Sequence, residues 1–228
     1  MYILLTDALT CPRCGPEFGL LVLADRMEER RVIEGRLGCA NCRSAFPIHD
    51  AAADLRVAGA GSGESADPRP SDVVDQDEDD DAGAPVRLAA LMGLAGASGL
   101  AMLAGPGARH AAAVSALVPE LEVVAVTEAP DGAPRVPGVS RVAAGGGALP
   151  FRGGALRAAA LTGGADDARL REALRVLAPG ARLVVDPAPP GTGDRVRALG
   201  VEVLLEQEGV VVARAPGRPV ELRHNAVR

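Results

Sequence analysis

Lysine is absent from this 228-residue chain, and so is tryptophan. Every fixed positive charge is therefore an arginine. Beside abundant Ala and Gly, the missing lysine reads as a compositional bias of the genome and carries no function. Aromatic residues are only 2 % of the chain, and beyond residue 55 Phe151 is the sole one. Surfaces that stack bases are built from aromatic rings, so this scarcity counts against a nucleobase acceptor. Positive charge is in deficit too. The net charge of −6 and a pI near 5.2 argue against a nucleic-acid coat or an anionic-membrane binder. No direct nucleic-acid contact and no membrane partner are expected. No apolar run reaches the roughly eighteen residues of a membrane span. The start, MYILLTDALTCPRC, lacks the basic flank and cleavage site of a secretory signal. A soluble, cytoplasmic protein is the expectation.

What is present divides into three stretches. Residues 1–55 hold all four cysteines and three aromatics, Tyr2, Phe18 and Phe46. Residues 56–85 are rich in Gly, Ser, Pro and Asp, with an acidic run from Asp77 to Asp81. Such a stretch buries too little apolar surface to offset its ordering entropy, so it reads as a flexible acidic linker that leaves each neighbour its own core. From Val86 onward, apolar runs alternate with helical patterns. Helical periodicity covers 86–97, 108–118, 166–177 and about 193–199. Strands are expected at 99–104, 121–126, near 139–143 and at 181–186. A closing pair at 201–206 and 209–214 has a connection short enough to be antiparallel. This alternation predicts an α/β domain, residues 86–228, with a mainly parallel sheet.

In a reducing compartment, paired cysteine spacing points to metal rather than disulfides. CPRC puts Cys11 and Cys14 on one side of an ion, and CANC closes the other side with Cys39 and Cys42. Four thiolates suit tetrahedral zinc and leave no open position for water, so the metal is structural. Buried or redox-active cysteines are the competing reading, and the paired four-cysteine spacing favours zinc. His49 lies near the second pair and reads as a surface residue.

The run EGRLGCANCRSAFPIHD (34–50), behind Cys11-Pro12-Arg13-Cys14, resembles the zinc-ribbon subunit that activates tRNA, rRNA and release-factor methyltransferases. The resemblance covers residues 1–55 and implies a separate methyltransferase or a translation-related protein as partner. In that family a strand docking onto the partner follows. This chain carries Asp50-Ala51-Ala52-Ala53-Asp54-Leu55 there.

ALPFRGGALRAAAL (148–161) and REALRVLAPGARLVV (171–185) resemble class I S-adenosylmethionine-dependent methyltransferases over roughly residues 86–215. In that family Leu149-Pro150-Phe151 would precede the fourth strand and Arg175-Val176-Leu177-Ala178-Pro179-Gly180 the fifth. The resemblance implies a Rossmann-like domain whose glycine turn is AGPGARH (104–110). Gly105 and Gly107 match two family glycines, while Arg109 stands at the third. Thr127 stands where the ribose-binding acid belongs, with Glu128 next to it, and Gly145 aligns with the adenine-contacting acid. Gly105, Gly107 and Glu128 are therefore the candidate cofactor residues, and no residue is assigned to catalysis. The expectation is a zinc-binding protein with a non-catalytic methyltransferase-like domain that activates or scaffolds a methyltransferase. Two alternatives stay open: an active S-adenosylmethionine-dependent methyltransferase carrying its zinc module in cis, and a small-molecule sensor using the Rossmann crevice.

Overall fold

A computed structural model gives the fold of residues 1–57, 83–130, 132–145 and 147–217. Most of the stretch read as a linker lies outside the described residues. Seven strands follow residue 83: β5 (Gly99–Ala104), β6 (Leu121–Thr127), β7 (Val139–Ala143), β8 (Leu156–Thr162), β9 (Leu177–Asp186), β10 (Glu202–Gln207) and β11 (Val210–Arg214). They lie in the order β7-β6-β5-β8-β9-β11-β10. β5 to β9 run parallel to one another, and β11 is inserted antiparallel between β9 and β10. This is the Rossmann-like, mainly parallel sheet expected from the sequence.

β5, the central parts of β6 and β8, and residues 183–185 of β9 are apolar because both their faces are covered, whereas the edge strand β10 is largely exposed. Alternation sends Ala101 and Leu103 of β5 toward helices α1 (Ala84–Met92) and α2 (Ala111–Leu117). Met102 and Ala104 face the opposite core layer, which includes α3 (Asp167–Val176) and α4 (Thr192–Ala198). Some boundaries differ from expectation. α1 stops at Met92 because Gly93 turns left-handed, with φ +68°. The expected helix at 108–118 is a 3-10 turn, Pro106–His110, running into α2. β9 begins at Leu177, through Pro179-Gly180 rather than after it. No described helix is long and apolar enough to cross a membrane.

The N-terminal segment contributes β1 (Leu21–Glu28), β2 (Arg31–Gly38), β3 (Ala45–His49) and β4 (Ala52–Asp54), an antiparallel meander. It does not keep a core to itself. β4 runs parallel to β7, with Ala53 opposite Val142, so all eleven strands form one sheet. Leu9 bridges Phe151, the Thr10 N–H donates to Pro150 O at 2.9 Å, and the Arg152 N–H donates to Ala8 O at 2.8 Å. A third joint is ionic. Arg31 of β2 makes a bidentate pair with Glu122 of β6 at 2.8 and 2.9 Å, and the Ser140 hydroxyl donates to the same carboxylate at 2.6 Å. Met1, Leu5 and Leu9 are fully buried in the layer that also holds Phe151 and Leu170. The expectation of separate cores fails because strand pairing and apolar burial both cross the junction.

Candidate functional site

The two cysteine pairs sit on matching turns. Cys11 O accepts from the Gly15 N–H and Cys39 O from the Arg43 N–H, each at 2.9 Å. Each turn ends on a residue with positive φ, +92° at Gly15 and +60° at Arg43. Cys11 and Cys42 sulfurs stand 3.7 Å apart, Cys14 and Cys39 sulfurs 3.8 Å, and all four lie within 4.8 Å of one another. Sulfurs about 2.3 Å from a tetrahedral zinc would be about 3.8 Å apart, so the cluster is sized for that ion. Burial pushes the Cys11 thiol up to about 12, whereas the Ser44 hydroxyl and N–H bring Cys42 down to about 6. A divalent cation supplies the charge that four gathered thiolates need. Asn41 donates to the Cys14 sulfur at 3.3 Å. His49 stands apart and pairs with Glu34 at 3.1 Å.

A second candidate lies at the carboxyl ends of β5, β6 and β8. The connections leaving β5 and β8 go to opposite faces of the sheet, and open α/β sheets hold ligands at such a divide. A cavity of about 940 Å³ opens there. Its wall includes Gly105 after β5, Glu128 after β6, Thr162 ending β8, Asp166 and Arg169 at the start of α3, and Arg195 of α4. The structure thus brings Gly105 and Glu128 together. Gly107 is not on this wall. It lines a smaller cavity, of about 220 Å³, together with Arg109 and His110.

The glycine turn is closed from within the chain. The Gly107 N–H donates to the Thr162 hydroxyl at 2.6 Å, and that hydroxyl donates to Ala104 O at 2.8 Å. A Cβ on Gly105 would lie 2.0 Å from Thr162 O, and one on Gly107 would lie 2.6 Å from Thr162 Cγ2. Close packing against β8 is therefore reason enough for both glycines. The Thr127 hydroxyl is also committed, donating to Ala129 O at 2.7 Å. Among the described residues, no His, Cys, Ser or Tyr lines the cavity.

The remaining polar groups of the wall are charged. Asp166 caps α3 by accepting from the Arg169 N–H at 2.7 Å, as N-cap acids do. The Arg169 side chain donates to Gly147 O at 3.2 Å. Burial lowers its pKa from the ordinary arginine value, against the opposing pull of Glu128, Asp166 and Glu172. Arg195 donates to Ala165 O at 3.2 Å and to the Thr192 hydroxyl at 2.8 Å, and pairs with Asp167 at 3.4 Å.

The two sequence segments that resemble methyltransferases touch each other. Arg175 donates to Leu149 O at 2.9 Å and Phe151 O at 2.7 Å, while Glu172 accepts from the Leu149 N–H at 3.1 Å. α3 thus clamps Leu149-Pro150-Phe151, the stretch that residues 8–10 grip from the other side. Sequence reading missed Thr162, Asp166, Arg169 and Arg195. Their available signals were a polar residue ending an apolar strand and arginines in short helices near glycine turns.

No protein-family model matches the chain, and no characterised protein matches it by sequence. Among solved structures, the antibiotic-resistance methyltransferase Kmr is 18 % identical over 58 % of this chain and 93 % of its own, with a TM-score of 0.44. The Burkholderia thailandensis 1,6-didemethyltoxoflavin-N1-methyltransferase, solved with S-adenosylhomocysteine, is 18 % identical over 60 % and 80 %, with a TM-score of 0.47. The cyclase SpnF is 16 % identical over 59 % and 81 %, with a TM-score of 0.45. Similarity at this level concerns the fold alone. The described strands form a Rossmann-like, mainly parallel sheet, joined here to a four-cysteine module.

Proposed function

We propose that this chain is a zinc-stapled binding protein, in which residues 1–57 brace in cis the crevice of a non-catalytic methyltransferase-type domain. The observation that carries this reading is Thr162. Its hydroxyl occupies the Gly107 N–H and its backbone packs against Gly105, so the turn expected to approach a cofactor is filled by the chain itself. The strand that would dock on a separate methyltransferase or translation-related protein is paired with β7 of the same chain. That favours a role in cis over activation of another enzyme.

The residues present fit zinc, which Cys11, Cys14, Cys39 and Cys42 would hold as a structural ion. They fit S-adenosylmethionine less well, because Glu128 is the one acid of the wall beside the expected ribose position. Glu128 is also what favours the second reading, an active methyltransferase. Calorimetric titration with S-adenosylmethionine and S-adenosylhomocysteine separates the two. The proposal expects no affinity tighter than about millimolar, roughly −4 kcal/mol. Micromolar binding abolished by Glu128→Ala would establish the methyltransferase reading in its place.

A further inference from the structure

Of the two arginines on the wall of the large cavity, Arg169 is the one without an ion pair among the described residues. Arg31 and Arg175 each meet a carboxylate through two nitrogens, Glu122 and Glu172 respectively. Arg169 makes one side-chain hydrogen bond, to Gly147 O at 3.2 Å, and no ion pair among the described residues. It lies on the wall of the 940 Å³ cavity, and the negative charges around it do not offset its desolvation. A guanidinium presents five donors in a planar fork, and one carbonyl leaves most of them unused. Arg195 stands on the same wall, and its ion pair with Asp167 is long at 3.4 Å.

We infer that the crevice holds an anionic small molecule whose phosphate or carboxylate group is gripped by Arg169, with Arg195 beside it. The chemistry shared by both groups is a compact oxyanion that accepts two parallel N–H bonds, the partner for which a guanidinium fork is shaped. The cavity is within the size range of sites that enclose a small organic ligand. Glu128 and Asp166 share the wall and oppose an anion there, so the oxyanion is held by direct contact with the guanidinium donors that Gly147 O leaves unused. This inference rests on the proposal that the crevice binds a ligand rather than running methyl transfer, and it supplies the ligand's class.

The test is calorimetric titration of the zinc-loaded full chain with adenosine monophosphate, succinate and, as the uncharged control, adenosine. Adenosine monophosphate or succinate should bind, and the tighter of the two identifies phosphate or carboxylate as the preferred group. Adenosine should bind at least ten-fold more weakly than its monophosphate. Arg169→Gln should weaken the bound anion at least ten-fold, and Arg169→Lys should recover part of the loss. If Arg169→Gln does not fold, Arg195→Gln provides the comparison, with a loss of about three-fold expected. No binding of either anion, or an anion affinity untouched by the variant that folds, would overturn the inference. The parent proposal fails on a different measurement: micromolar S-adenosylmethionine binding that depends on Glu128.

Discussion

At the scale of single residues, Thr162 joins the glycine turn to the crevice. Its hydroxyl both accepts from Gly107 and donates to Ala104, so one oxygen satisfies two backbone groups. Replacing it with valine keeps the shape and removes both bonds. Thr162→Val should cost about 1–3 kcal/mol, the penalty for stranding partly buried backbone groups. Differential scanning calorimetry should show the melting temperature falling by several degrees, and an unchanged value would mean that the turn is held by other contacts. Glycine at 105 and 107 was legible in the sequence, but its cause was not. A glycine can be kept for a ligand or for a neighbouring strand, and only the approach of Thr162 O distinguishes the two here. Arg169 was illegible for a related reason, since an arginine in a helix's first turn looks solvated unless its cavity is known.

At the scale of elements, most of the Rossmann-like sheet could be read directly. Strands buried on both faces are continuous apolar runs, and the expected segments at 99–104, 121–126 and 139–143 coincide with β5, β6 and β7 to within a residue. β1 gave no such signal because it is exposed on both faces and its pattern has no alternation. The start of β9 was misread because Pro179-Gly180 looks like a break, yet the strand passes through it. The junctions were the least legible part. β4 with β7, and residues 8–10 with 150–152, pair across long sequence separations for which local composition carries no register. The clamp of α3 on Leu149-Pro150-Phe151 predicts a pH response. The Arg175 guanidinium, and then the Leu149 N–H, hold the Glu172 carboxyl below its ordinary 4.5. A depressed carboxyl pKa stabilises the fold above the unfolded-state value, and that contribution is lost as pH falls through the folded value. Urea unfolding at pH 7 and again at pH 3.5 should show a smaller acid loss in Glu172→Gln than in the native chain. Equal losses would remove Glu172 from the account.

At the scale of the whole molecule, one core layer runs from Met1 through Phe46 and Phe151 to Val211. The shared core and the pairing of β4 with β7 predict that the two segments they join unfold together. The metal should therefore stabilise more than the fifty residues around it. In calorimetry the zinc-loaded chain should melt in one transition, and a strong chelator should move that whole transition downward. Two separated transitions, with the later one unaffected by chelation, would show that the pairing of β4 with β7 contributes little. The ionic joint can be probed by the same measurement. Glu122 has only 9 % of its side chain exposed, so Arg31→Ala leaves a buried carboxylate with Ser140 as its remaining side-chain donor. A loss of about 3 kcal/mol is expected, as for buried pairs broken on one side.

The parallel alignment of β4 with β7 also sets an order of events during synthesis. Ala53 and Val142 are roughly ninety positions apart, and Leu9 and Phe151 roughly one hundred and forty, distances at which loop closure slows pairing. The four cysteines span only about thirty positions, so gathering them costs less chain entropy. A chain leaving the ribosome N-terminus first can take up its ion long before its docking strands exist. Once loaded, the two cysteine turns would wait, with one edge of β4 unpaired, until β7 and residues 150–152 have been made.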